Sequence, residues 1–128
     1  SQPSLGEKID LYNELTKDGD EVIDIAMASG LSGTYQTAMM AKNSCDNPDL
    51  VHVVDSQTLC GPHRLMVDTA LEMASNGATS KDIVMMIVQS RMQEESSWWK
   101  NQRVSCYFGW RIKINSNFEK RRRWHRFR

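Results

Sequence analysis

The stretch "ASGLSGTYQTA", residues 28 to 38, places Ser29, Gly30, Ser32, Gly33 and Thr34 within six consecutive positions. Those residue types suit the holding of an anion. Hydroxyl groups donate hydrogen bonds, glycines allow close backbone approach and positive φ, and a helix beginning at Thr34 would present unpaired N–H groups and a positive dipole end. An anionic head group could be bound there without a formal positive charge. The plain alternative is that Ser32 or Thr34 caps the helix and the glycines make the turn. The loop has neither GxGxxG nor GxxxxGK[ST], which argues against a dinucleotide or nucleoside-triphosphate site.

Other residues give less. His52 lies in mid-strand and His63 at a helix start, and no Ser/His/Asp grouping is visible in order or motif. Asp55 and Ser56 close a strand, where capping or loop structure is the expected role. Cys45, Cys60 and Cys106 are an odd number without metal-ligand spacing, so free thiols and no metal site are expected. The eight methionines fall largely on apolar helix or strand positions, where they fill a core or line an acyl-chain tunnel. No nucleophile, base or metal set assembles, so the chain reads as a binding protein without a cofactor and not as an enzyme.

The elements that must position the loop alternate in type. "SLGEKIDLYNELTKDGD" carries Leu5, Ile9, Tyr12 and Leu15 at helical spacing and stops at its Gly-Asp turn. "EVIDIAMAS" reads as a buried strand, residues 33 to 45 as a helix, and "LVHVVDS" as a second strand after a "DNPD" turn. Residues 61 to 77 form a strong helix with Pro62 in its first turn and Asn76-Gly77 at its end. Residues 79 to 95 are helical again, with Thr79 or Ser80 as N-cap, and "RVSCYFG" at 103 to 109 reads as a strand. This order predicts an α/β fold, a partial Rossmann-like, mainly parallel sheet with flanking helices. In such sheets ligands sit beyond the carboxyl ends of the strands, which is where Ser29 to Thr34 falls.

The 128 residues fit one globular domain, and no window is apolar enough to span a membrane. The opening residues lack the features of a signal peptide, so a cytoplasmic location is expected. Zero net charge hides an asymmetry: residues 110 to 128 hold eight basic side chains against one acidic, and the rest of the chain has the opposite excess. A body of residues 1 to 109 and a poorly ordered basic tail of 110 to 128 are therefore expected. The tail alone would suggest a nucleic-acid-binding module, the alternative to anion binding.

"SQPS" at 1 to 4, "ASGLSGTYQTA" at 28 to 38 and "VHVVDSQTLCGPHRLMVDTALEMASNGATSKDIV" at 51 to 84 closely resemble the DegV family of bacterial fatty-acid-binding proteins, in motif order and approximate spacing. The resemblance implies a first lobe with a parallel, Rossmann-like sheet and a second lobe, with one long-chain fatty acid between them. It also implies presentation of the lipid to a separate fatty acid kinase in some members, and makes nucleic acid an unlikely partner. In the family the carboxylate is clamped by the Ser before Gly-Leu/Ile-Ser-Gly, here Ser29, and by a Thr immediately before Ser-Gln-Pro, which would fall just before Ser1. Ser1, Gln2 and Pro3 match the rest of that motif and would shape the loop beside the head group. Gly30, Ser32, Gly33 and Thr34 match as supporting loop residues.

The departures from the family pattern lie at both ends. An initial strand-helix unit and the second lobe are not in these residues, so weakened lipid binding is expected of the 128-residue chain. After "CYFG" the family continues with Val-Asp, a Leu-rich helix and a Gly-Gly-Arg-Ile turn, which the tail does not resemble. One allowed codon choice for residues 117 to 127 places Ile-Leu-Lys-Lys-Gly-Gly in the plus-one frame, so an altered reading frame is the expectation for the tail.

Overall fold

The computed structural model describes residues 3–58, 60–91 and 110–114. The order is helix α1 (Leu5–Thr16), strand β1 (Glu21–Ala26), helix α2 (Thr34–Ser44), a single 3₁₀ turn (Pro48–Leu50), strand β2 (Val51–Asp55), helices α3 (Cys60–Ser75) and α4 (Ser80–Ser90), and strand β3 (Trp110–Ile114). Through α4 this is the α/β alternation that the sequence predicts.

Local chemistry sets most boundaries. Ser4 starts α1 with a capping box, accepting from the Glu7 N–H at 3.3 Å while its own N–H donates to Glu7 Oε2 at 2.8 Å. Thr79 and Asp82 repeat that arrangement at α4. Gly19, at φ 82°, makes the turn after α1. Gly77, at φ 91°, closes α3, where Ala78 N–H bonds Met73 O and Gly77 N–H bonds Ala74 O, the paired bonds of a Schellman end.

The described sheet has the order β2-β1-β3. β1 and β2 run parallel, with Val22 opposite Val51 and Ile25 opposite Val54, and α2 forms the crossover between them. Because side chains alternate across a strand, β1 divides between two layers. Ile23 and Ile25, with Val54 of β2, pack against Met66, Val67, Ala70 and Ala74 of α3 and Ile83 and Ile87 of α4. The other face meets α1 and α2, where Tyr12, Ala41, Cys45 and Val51 form a second, smaller core edged by Leu5 and Ile9. Glu21 ties α4 to the sheet: its Oε1 accepts from the Ser80 hydroxyl and pairs with His52 Nε2, both at 3.0 Å. His52 is thus a structural histidine.

The structure differs from the sequence expectation in three respects. The buried stripe of α1 runs through Lys8, Tyr12, Leu15 and Thr16, a face rotated from the purely apolar one. Lys8 turns inward because Asp24, mid-strand in β1, meets its Nζ at 3.1 Å, and Asp24 Oδ2 also accepts the Tyr12 hydroxyl. Secondly, β1 ends at Ala26, so Met27 to Ser29 belong to the loop. Thirdly, residues 110 to 114, expected within a poorly ordered tail, form β3 antiparallel to β1, with Ile23 opposite Ile112. "WRIKI" alternates apolar and basic residues with the period of a strand, a signal overshadowed by the charge run after it. The strand expected at 103 to 109, the Trp98-Trp99 pair and residues 115 to 128 lie outside the described residues.

Lys8 and Asp24 are 2% and 1% exposed. Removing one member of such a pair leaves a buried charge uncompensated, so Asp24→Asn should destabilise the chain by about 3–5 kcal/mol in urea unfolding. A change below about 1 kcal/mol, the size found for exposed pairs, would show that Lys8 reaches water in the native state.

Candidate functional site

The carboxyl ends of β1 and β2 lead into two loops that are bonded to each other. Pairing continues past the strands: Ser56 N–H donates to Ala26 O and Ala28 N–H donates to Thr58 O, each at 3.0 Å. Ala28 O then accepts the N–H groups of Leu31 and Ser32, at 3.0 and 3.2 Å, which folds residues 28 to 32 into a tight turn. Ser29 lies within this turn, half-buried, and its N–H donates to Asp55 Oδ1 at 3.3 Å. The same carboxylate oxygen accepts the Gln57 N–H at 2.9 Å.

At the start of α2, Gly33 is the N-cap residue, at φ −72°, and offers no side-chain cap. Ser32 supplies one instead: its Oγ accepts the Thr34 N–H at 3.2 Å and lies 2.7 Å from Thr34 Oγ1. The capping role and the position beside a ligand loop therefore coexist in Ser32. Positive φ at Gly30 and Gly33, expected from the sequence, does not occur, because the turn closes through the Ala28 carbonyl with ordinary backbone angles. What glycine provides at position 30 is open space: a Cβ built there would meet no atom within 4 Å. Among the described residues the Ser29 hydroxyl makes no hydrogen bond, and its carbonyl accepts from Gln36 Nε2 at 3.5 Å. Leu31, beside it, is 68% exposed. Pro3 leads into the Ser4 cap, while Ser1 and Gln2 lie outside the described residues.

Behind the second loop is an interaction that the sequence did not reveal. Ser56 Oγ accepts the Thr58 N–H at 3.3 Å and lies 3.1 Å from Thr58 O and 3.0 Å from His63 Nδ1, so its one proton serves one of those two acceptors. His63 is 2% exposed in the first turns of α3, and among the described residues its buried Nε2 has no hydrogen-bond partner. Burial pushes the imidazole below its usual range, opposed by its bond to the Thr58 backbone and by the charge of Asp24. Asp-Ser after a strand is a visible turn signal, but nothing in a seven-residue spacing ties Ser56 to His63. Among the described residues no group of three His, Cys, Asp or Glu side chains is placed to hold a metal, and no helix is long and apolar enough to cross a membrane.

Two parallel strands with helices on both faces, and paired loops at their carboxyl ends, define an open-sheet α/β domain. Residues 1–98 match the family model described as "Uncharacterised protein, DegV family", and the chain belongs to the DegV family. It is 40% identical over 84 residues to a DegV domain-containing protein of Staphylococcus aureus strain N315, a match covering 66% of this chain and 29% of that protein. Protein DegV of Bacillus subtilis strain 168 is likewise 40% identical, over 85 residues, and 30% of its length is covered. Among solved structures, a Thermus thermophilus DegV family protein described by its fatty acid binding superposes with a TM-score of 0.65 at 29% identity, over 72% of this chain and 32% of its own. A Thermotoga maritima protein described as having a fatty acid binding function gives 0.64 at 28% identity, over 100% of this chain and 48% of its own. The chain thus spans less than half the length of these relatives.

The His63 shift has a defined sign. Its folded value lies below the unfolded one, so the unfolded state takes up the proton first as pH falls. Native stability attributable to His63 is fully present above about pH 6.5, the ordinary histidine value, and declines below it until the folded group also titrates. Urea midpoints between pH 8 and 5 should show this decline, and His63→Gln should flatten it. An equal decline in the variant would assign the effect to other groups.

Proposed function

We propose that this chain is the head-group lobe of a fatty-acid-binding protein, in which the carboxylate of a long-chain fatty acid is held at Ser29. The observation that carries this reading is the Ser29 turn at the carboxyl end of β1: its hydroxyl makes no bond within the described residues, a Cβ at Gly30 would meet none of their atoms within 4 Å, and the first turn of α2 follows directly. Ser29 is the direct ligand group in this reading, and Gly30, Ser32, Gly33 and Thr34 maintain the turn. Ser1, Gln2 and Pro3 shape the neighbouring loop. Two solved relatives described by fatty acid binding, at 28% and 29% identity, support the choice of ligand class.

The energetics divide the task between lobe and chain. Burying the acyl tail stabilises by about 0.8 kcal/mol per CH₂, so affinity is dominated by an apolar enclosure, whereas the polar turn fixes which end of the lipid lies where. Exposed Leu31, two residues from Ser29, gives that enclosure an apolar beginning. A carrier that holds the carboxylate in one place can present it to a separate kinase, and presentation to such an enzyme completes the proposed role. Binding and presentation need no covalent step in this chain.

In a protein of family length that carries these residues, Ser29→Ala removes one hydrogen bond to a charged group, a loss of about 1.5–3 kcal/mol or roughly ten- to a hundredfold in Kd. Titration with a fluorescent long-chain fatty acid measures it. An unchanged Kd would exclude Ser29 as the head-group ligand.

A further inference from the structure

We propose that Asp55 is the positioning residue of the head-group turn, acting through Oδ1 as a shared acceptor that locks the Ser29 backbone to the β2–α3 loop. The inference rests on the reading of Ser29 as the carboxylate ligand and goes beyond it, since Asp55 need not touch the lipid. One oxygen accepts two N–H groups 28 residues apart, Ser29 at 3.3 Å and Gln57 at 2.9 Å. Gln57 stands at φ 55°, left-handed backbone that a non-glycine residue rarely adopts, and it is the one such residue among those described. The Asp55 carboxylate accepts the N–H of that residue, two positions on, and so holds the conformation in place. From the far side the loop is braced by the Ser56 hydroxyl and the buried His63 ring, and Thr58 O returns to the first loop by accepting the Ala28 N–H.

The chain therefore reaches Ser29 through two consecutive amides, both held by the second loop: Ala28 by a backbone carbonyl and Ser29 by a side chain. Only the second can be changed by mutation without disturbing the main chain. Of the turn's other bonds, those from Leu31 and Ser32 to Ala28 O curl it, and the long one from Gln36 Nε2 to Ser29 O, at 3.5 Å, ties it to α2 and not to β2. Asp55 sets the turn's angle to β2, and with it the direction in which the Ser29 hydroxyl is offered. The required property is an acceptor oxygen at that point, which asparagine retains and alanine lacks.

The test begins with ligand-free protein. In wild type the Ser29 and Gln57 amides should exchange more slowly with solvent than unbonded amides do. Unprotected exchange at Ser29 in wild type would overturn the shared bond even if every variant were unstable. In Asp55→Ala, amide exchange at Ser29 and Gln57 should accelerate while the β1 ladder amides stay protected, and Asp55→Asn should keep both slow. Unchanged protection of Ser29 in the alanine variant would overturn the proposal. Fatty-acid titration of the family-length protein then reads the consequence. Asp55→Ala should weaken binding about tenfold, the scale of one lost charge-assisted bond, and Asp55→Asn should stay within about threefold. Equal loss in both variants would replace positioning with a role for the charge itself. Equal binding by wild type and alanine variant would end the positioning role alone. A wild type that binds no fatty acid would end the head-group reading and this role together.

Discussion

The contact on which the architecture depends is the buried ion pair of Lys8 and Asp24, completed by the Tyr12 hydroxyl. A carboxylate in the middle of a strand packed on both faces is tolerable only if a cation and a donor are brought to it, and both come from α1. This fixes the rotation of α1 about its own axis, which apolar packing against the small Tyr12-Ala41-Cys45-Val51 core would leave loosely determined. It also fixes where α1 begins relative to β1, because Ser4 caps the helix one turn before Lys8.

The same strand carries structure in its other direction. β1 is the central strand of the described sheet, and its parallel pairing with β2 brings two loops out at one end. Parallel pairing alone would deliver them as independent segments. The Asp55 carboxylate, the Thr58 carbonyl and the Ser56–His63 contact make them one unit, so the geometry around Ser29 is a property of both crossover units. Proteins of this architecture bind at such ends because the strands stop there while the helices leave in different directions, and the space between the loops is lined by unpaired backbone.

The parts of this fold that could be read in the sequence are those encoded locally. Helix α3 announces itself by spacing and by Asn76-Gly77, α4 by Thr79, and β1 and β2 by β-branched runs between turns. The Ser29 turn was legible as a loop because its glycines and hydroxyls are contiguous. Its backbone angles were not, since a turn closed by the Ala28 carbonyl needs no left-handed residue, whereas the unusual angle falls on Gln57, a residue type that signals nothing. Long-range polar partners were equally invisible. Asp24 in an apolar run demands a partner, but helical spacing alone marks Lys8 as a surface residue. His63 is similar, because its burial depends on α3 packing over the β2 loop. For β3, a two-residue alternation was present but outweighed by composition.

The placement of β3 bears on how this sheet assembles. β1 and β2 are joined by a short crossover, whereas more than eighty residues separate β1 from β3. Closing the longer loop adds about 1 kcal/mol of chain entropy by logarithmic scaling, and it does so for five residues of antiparallel ladder. The parallel pair is therefore the less costly of the two pairings to close. Among the described strands β3 is the one that covers this edge of β1, so loss of that pairing would expose the edge to strand exchange with another chain.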